Sequence, residues 1–213
     1  MISDERFKTV LTNVIGFLYP TRCGLCGIDS LYDLCDKCRG EFVPLVPSVY
    51  AEFTGPLAYV GGIVRYETRG AQAVKRLKYG RITSLVKPMA ELMALGMVSM
   101  KMEPDVVIPI PIHWSRRFSR GFNQAEVLAE RLPHVDLKVL KRIRKTKPQV
   151  SLTREERAKN LTGAFLATGN VAGKEVLLVD DVFTTGSTAR VCAEALLEAG
   201  ARRVGVLVFA VEP

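Results

Sequence analysis

Two neighbouring carboxylates and a glycine-bearing run of hydroxyl residues stand together in VLLVDDVFTTGSTA, residues 176–189. The apolar start reads as a buried strand, Asp180 and Asp181 close it, and Thr184, Thr185, Gly186, Ser187 and Thr188 open the helix that follows. Parallel sheets bind ligands beyond the carboxyl ends of their strands. Backbone amides at a helix start, with hydroxyl donors and a glycine that admits close approach, suit a phosphate monoester. No lysine follows as in a P-loop, and no G-x-G-x-x-G is present. Simple helix capping accounts for the Ser and Thr residues but not for the acids. Adjacent ionised aspartates repel unless cations or hydroxyl donors compensate. Sugar hydroxyls, with or without Mg²⁺, supply that, so the run describes a ribose 5-phosphate site.

A second constellation lies in CGLCGIDSLYDLCDKC, where Cys23 and Cys26 form one C-x-x-C and Cys35 and Cys38 another. Eight residues separate the pairs, enough for a knuckle that turns four thiolates onto one ion. Tetrahedral sulfur coordination suits structural Zn²⁺ and leaves no open position for a catalytic water. A redox couple lacks its surrounding βαβ pattern, and the spacing is not that of an iron–sulfur site. Cys192 falls in a later helical pattern and reads as a small core residue. The only histidines are His113 and His134, and nothing resembles a dedicated nucleophile.

These groups need a scaffold. The chain has 213 residues, 48% hydrophobic and 24% charged, enough for one α/β domain with a small attachment. A formal charge of +8 fits an anionic partner or simply a basic surface. No apolar run reaches the roughly 18–20 residues of a membrane span. The first 20 residues carry Asp4 and Glu5 and lack a signal-peptide head; Phe7, Val10, Leu11, Val14, Phe17 and Leu18 fit a docked amphipathic helix. The expected location is cytoplasmic.

After the knuckle, FVPLVPSVYAEFTGP reads as an extended linker. A strand or hairpin through 62–66 precedes a short helix ending near Gly80 and a helix over about 85–97. PDVVIPIPI, KVLKRI, EVLLVDD and RRVGVLVFAV read as strands, with helices in NQAEVLAERL and GSTARVCAEALLEAG. This alternation predicts a mainly parallel sheet flanked by helices. Arg116, Arg117 and Arg120 form a basic turn after the strand over 106–110, with Gly121 leading into the next helix. Lys75 and Lys78 lie on a helix face that would ordinarily be exposed. The charged segment over 146–163 is long for a connector and reads as a lid that excludes water.

VLLVDDVFTTGST resembles the phosphoribosyl pyrophosphate (PRPP) motif of type I phosphoribosyltransferases. The N-terminal apolar helix, the paired C-x-x-C motifs, IPIPIHWSRRFSRGFNQAEVLA and KPQVSLTREERAKNLTGAF together resemble the ComF/GntX-like branch, which is associated with natural competence. The resemblance implies a type I phosphoribosyltransferase fold over 46–213 and a zinc knuckle with its helix over 1–45. It implies that Asp180 and Asp181 hold ribose hydroxyls, that Thr184, Thr185, Gly186, Ser187 and Thr188 bind the 5-phosphate, and that Arg120, Gly121, Asn123 and Gln124 receive the pyrophosphate with Mg²⁺. Lys78 is a weaker candidate for the same site. The lid resembles the catalytic hood of glutamine-dependent amidophosphoribosyltransferases, with Gln149, Arg154, Arg157 and Asn160 in matching places. The catalytic set so implied is Asp180, Asp181, Arg120, Arg154 and Arg157.

The expected activity is PRPP-dependent transfer to an unidentified acceptor in DNA uptake. Two alternatives stand beside it: a PRPP-binding regulator without turnover, and a DNA-handling module meeting single-stranded DNA or a helicase-like or DNA-processing competence partner. KVLKRIRKTK is basic enough to follow phosphates but lacks interleaved aromatics. Pairing into a homo-oligomer across a helix face is common for such folds.

Overall fold

The run EVLLVDDVF is apolar on both sides of its two acids and forms one unbroken strand, Glu175–Phe183. The structure is a computed structural model that describes residues 21–45, 50–51, 55–80, 82–144, 161 and 163–212. In chain order its strands are β1 (Thr21–Arg22), β2 (Asp29–Ser30), β3 (Tyr50–Ala51), β4 (Tyr59–Arg65), β5 (Val106–Pro109), β6 (Leu140–Arg142), β7 (Phe165–Ala167), β8 (Glu175–Phe183) and β9 (Arg203–Val211). The α-helices are α1 (Asp36–Gly40), α2 (Thr68–Tyr79), α3 (Val86–Ser99), α4 (Trp114–Arg120), α5 (Gln124–Ala129) and α6 (Ser187–Glu198).

The central sheet runs β3-β4-β9-β8-β5, with β4, β9, β8 and β5 parallel and β3 antiparallel at the edge. Side chains alternate across it. Leu177, Val179, Leu207 and Phe209 enter a core shared with α2, α3, α5 and the cysteine knuckle. Val176, Leu178, Val206 and Val208 enter the opposite core with α6 and the β6–β7 hairpin. The knuckle is part of the first core rather than an appendage: Leu25, Leu34, Cys38 and Phe42 are buried there, and the Phe42 and Phe209 rings meet edge to face at 5.7 Å.

Several expectations are corrected in detail. KVLKRI does not join the parallel sheet; Leu140–Arg142 pairs antiparallel with Phe165–Ala167 as a separate hairpin. The basic turn is the helix Trp114–Arg120. Part of the expected linker, Tyr50–Ala51, pairs with β4. Above all, β8 does not end at its acids but continues to Phe183 beside β9. The expected N-terminal helix over 1–20 and most of the expected lid, with Gln149, Arg154, Arg157 and Asn160, lie outside the described residues. No helix among the described residues is long and apolar enough to cross a membrane.

Candidate functional site

The last bond between β5 and β8 is donated by the Ile110 amide to the Val179 carbonyl at 2.9 Å. Beyond it β5 turns away while β8 continues, so Asp180 to Phe183 flank an opening at the carboxyl end of the sheet. The opening is a cleft of about 690 Å³, within the size range of small-molecule sites. Asp180, Asp181, Thr184, Thr185, Gly186, Ser187, Thr188, Lys78, Arg120, Asn123 and Gln124 all line it. Gly121 does not; at φ 88° it closes α4 in a left-handed turn that a side chain would disfavour.

Strand alternation decides where the two acids go. Asp181 shares the face of Leu177 and Val179 and meets Lys78 of α2, whose Nζ lies 2.9 Å from Oδ1. Burial disfavours the Lys78 ammonium, but Asp181 and Asp180 outweigh this and raise its pKa. Asp180 shares the face of Val176 and Leu178 and accepts the Asp181 amide at 2.8 Å. Burial, reinforced by the Asp181 charge, pushes the Asp180 carboxyl up to about 7 against the counter-pull of Lys78. Burial first and Asp180 second raise the neighbouring Cys192 thiol, which stays a core group on α6. Asp181 is only 3% exposed, and its Oδ2 has no hydrogen-bond partner among the described residues.

The loop beyond β8 turns at Gly186, φ 69°, directly before α6. A Cβ there would lie 2.4 Å from Cζ of Phe183, so the ring packed beneath the turn excludes any side chain. Thr185 and Ser187 hydroxyls meet at 2.9 Å. Hydroxyls and the N-terminus of α6 thus line the cleft, an arrangement with the chemistry to accept an anion.

Cations stand opposite. Arg120 donates to Gln124 Oε1 at 3.0 Å and lies over the Tyr79 ring at 5.5 Å. The Gln124 Nε2 is buried without a partner among the described residues. Asn123 binds the scaffold as well as lining the cleft, donating to the Ile110 carbonyl at 3.0 Å and capping Ala125 at 3.2 Å. Arg117 turns outward to Glu126 at 2.7 Å, and Lys75 is exposed on α2. Arg116 and Arg142 also line the cleft; burial and their like-charged neighbours lower the pKa of each guanidinium. Arg142, Tyr66 and Glu212 were not singled out from the sequence. Arg142 had one available signal, a basic residue ending the strand before the charged segment over 146–163; Tyr66 and Glu212 had none.

The four cysteines converge as their spacing predicts. Their sulfurs all lie within 4.8 Å of one another, with Cys26 and Cys35 Sγ at 3.8 Å. Four sulfurs around zinc at about 2.3 Å stand about 3.8 Å apart, so the set fits one tetrahedral ion. The Cys35 and Cys38 amides point at the Cys23 and Cys35 sulfurs, 3.4 and 3.5 Å away. Burial opposes charge on Cys23, but backbone amides outweigh it and lower that thiol to about 6. Burial and the neighbouring sulfurs raise Cys38. Four sulfurs crowded this closely are what a divalent ion reconciles, because it favours the thiolate form of its ligands.

The phosphoribosyl transferase domain family matches residues 81–213. The DNA utilization protein YhgH of Salmonella typhimurium is 30% identical over 198 residues, 86% of this chain and 81% of that protein. Competence protein F of Haemophilus influenzae is 33% identical over 112 residues, 48% of each chain. Competence protein ComFC of Bacillus subtilis is 38% identical over 105 residues, 47% of this chain and 42% of that protein. Among solved structures, a glutamine PRPP amidotransferase from B. subtilis in complex with ADP and GMP aligns over 63% of this chain at 23% identity with a TM-score of 0.43; the chain spans 30% of that protein's length. The chain belongs to the phosphoribosyl transferase domain family, and its ComF-like relatives are named for DNA utilization and competence.

Proposed function

We propose that the cleft binds PRPP and transfers its phosphoribosyl group to an acceptor that brings its own nucleophile. The observation that carries the reading is the cleft's polarity: an anion cradle at Thr184 to Thr188, two acids beside it, and Lys78, Arg116, Arg120 and Arg142 on the remaining walls. The cradle takes the 5-phosphate. Asp180 and Asp181 accept from the ribose hydroxyls; Asp181 Oδ2, a buried acceptor with no partner among the described residues, supports this reading. The buried Gln124 amide and the arginines take the pyrophosphate.

In the reaction the bond from ribose C1 to the pyrophosphate oxygen breaks, and pyrophosphate leaves with the electron pair. The acceptor forms the new bond to C1 and loses its proton. Positive charge that builds on the ribose is stabilised by the nearby acids, and negative charge on the leaving group by the arginines and Lys78. Mg²⁺, when bound with PRPP, would add Lewis-acid stabilisation of that leaving charge. Arg154 and Arg157 are proposed to act from the lid. Zn²⁺ in the knuckle is proposed to be structural, and the compartment to be the cytoplasm. The names of the relatives support a setting in DNA uptake or utilization for the unknown acceptor.

The test is calorimetric titration with PRPP and Mg²⁺, followed by a pyrophosphate-release assay against nucleobases, amines and nucleic-acid fragments. Saturable binding with release for one acceptor class supports the enzyme. Binding without release for any acceptor would make the protein a PRPP-dependent regulator. Salt-sensitive binding of single-stranded DNA with no PRPP binding would favour the DNA-handling reading.

A further inference from the structure

The metal knuckle and the cleft grip the same helix. Along one stripe of α2, Arg69 pairs with Glu41, Gln72 donates to the Leu25 carbonyl at 3.3 Å, and Arg76 donates to the Gly24 carbonyl at 3.0 Å. Spacings of three and four residues hold these side chains on one face. Gly24 and Leu25 are the two residues between Cys23 and Cys26, so both carbonyls belong to the first cysteine turn. That turn also abuts the end of the helix's connection to α3, where a Cβ on Gly24 would lie 2.7 Å from the Leu85 side chain.

Lys78 leaves α2 two residues after Arg76, on the far side of the helix, and reaches Asp181. Ala73, Val74 and Leu77 are buried in the core with the sheet and knuckle. The helix, about 18 Å long, is therefore held at one face by the cysteine turn and presents its last turn to the cleft. A rotation that loosens the knuckle contacts also moves the Lys78 ammonium away from Asp181.

We propose that the four-cysteine knuckle is a positioning device for the cleft: through Gln72 and Arg76 it sets the rotation of α2 at which Lys78 meets Asp181. Lys78 touches the site; Gln72 and Arg76 act through it. The consequence for PRPP affinity rests on the function proposed above, whereas the coupling of knuckle to Lys78 does not.

The experiment uses Arg76→Ala, Gln72→Ala and Arg76→Lys in the zinc-loaded full chain, each checked for its far-UV spectrum and metal content. Acylation of Lys78 by an amine-reactive ester is followed by peptide mass spectrometry, and PRPP affinity is measured in wild-type and Lys78→Ala backgrounds. Arg76→Ala and Gln72→Ala are expected to speed Lys78 acylation and to weaken PRPP binding roughly 3- to 10-fold, with Arg76→Lys in between. In the Lys78→Ala background the further loss is expected to vanish. Stripping the metal with a chelator, at a temperature where the fold persists, is expected to expose Lys78 in the same way. Lys78 acylation unchanged in both alanine variants overturns the coupling, as does an affinity loss that is equally large without Lys78. If the variants expose Lys78 but wild type binds no PRPP, the coupling stands and the assignment of PRPP falls.

Discussion

The Lys78 ammonium lies 2.9 Å from Asp181 Oδ1, joining the last turn of α2 to the strand that carries both acids. A lysine so placed neutralises one member of an otherwise repulsive pair and leaves the other, Asp180, with the raised carboxyl. Lys78 thus offsets part of the negative charge of the buried pair.

Removing both carboxylates tests the ribose contacts. Asp180→Asn with Asp181→Asn is expected to abolish PRPP binding by calorimetry, while the far-UV spectrum and zinc content stay as in wild type. Unchanged affinity would remove these residues from the site. The single change Asp181→Asn is expected also to remove the carboxylate that the Lys78 ammonium touches, so its thermal stability should fall more than that of Asp180→Asn.

The raised Asp180 carboxyl has a signed consequence for stability. Its pKa rises from 3.8 to about 7 through burial and the Asp181 charge, so the folded state binds this proton more tightly than the unfolded chain. Stability from this group is greatest at low pH and declines as pH rises from about 4 to about 7, then levels off. The groups facing it are Asp181, Lys78, Arg142 and Cys192. Thermal melts across that range should fall less steeply for Asp180→Asn than for wild type. An equal slope in the two proteins would show that the carboxyl is not held in this state.

The cleft-lining run 184–188 and the four cysteines were legible because each is contiguous: residues that stand together in space lie within one short segment, so local spacing carries the geometry. Asp181 and Lys78 are a different matter. Their contact depends on β8 continuing through its acids, and the signal for that was present in Val182 and Phe183, apolar residues that extend the alternation beyond Asp181. The strand divides the two acids between its faces, and both nonetheless line the one cleft. Arg142 was hidden for another reason. Its strand pairs with Phe165–Ala167 across the intervening segment 143–164, and no local pattern announces so distant and short a hairpin.

Gly186 tests the anion cradle without altering any charge. Its φ of 69° disfavours a side chain, and Phe183 Cζ would stand 2.4 Å from an added Cβ. Gly186→Ala is expected to cost about 1–3 kcal/mol of stability and to weaken binding of ribose 5-phosphate as well as PRPP. Retained affinity for ribose 5-phosphate would move the phosphate away from this loop. Phe183→Leu in the same background should restore part of the stability, because the smaller side chain relieves the contact.

The knuckle should behave as a folding element with one ion. Freshly purified, reduced protein is expected to hold about one equivalent of zinc, and Cys38→Ser to lose most of it. Cys38 is fully buried in the same core as α2, α3 and the central sheet, so the loss should lower the melting temperature of the whole chain instead of melting the knuckle alone. Calorimetry separates the outcomes. A single transition that shifts downward on chelation fits the shared core, whereas a small separate transition with the main one unmoved would make the knuckle an independent unit. Cys192→Ser provides the control, since that thiol lies on α6 in the opposite core and its replacement should leave the zinc content unchanged.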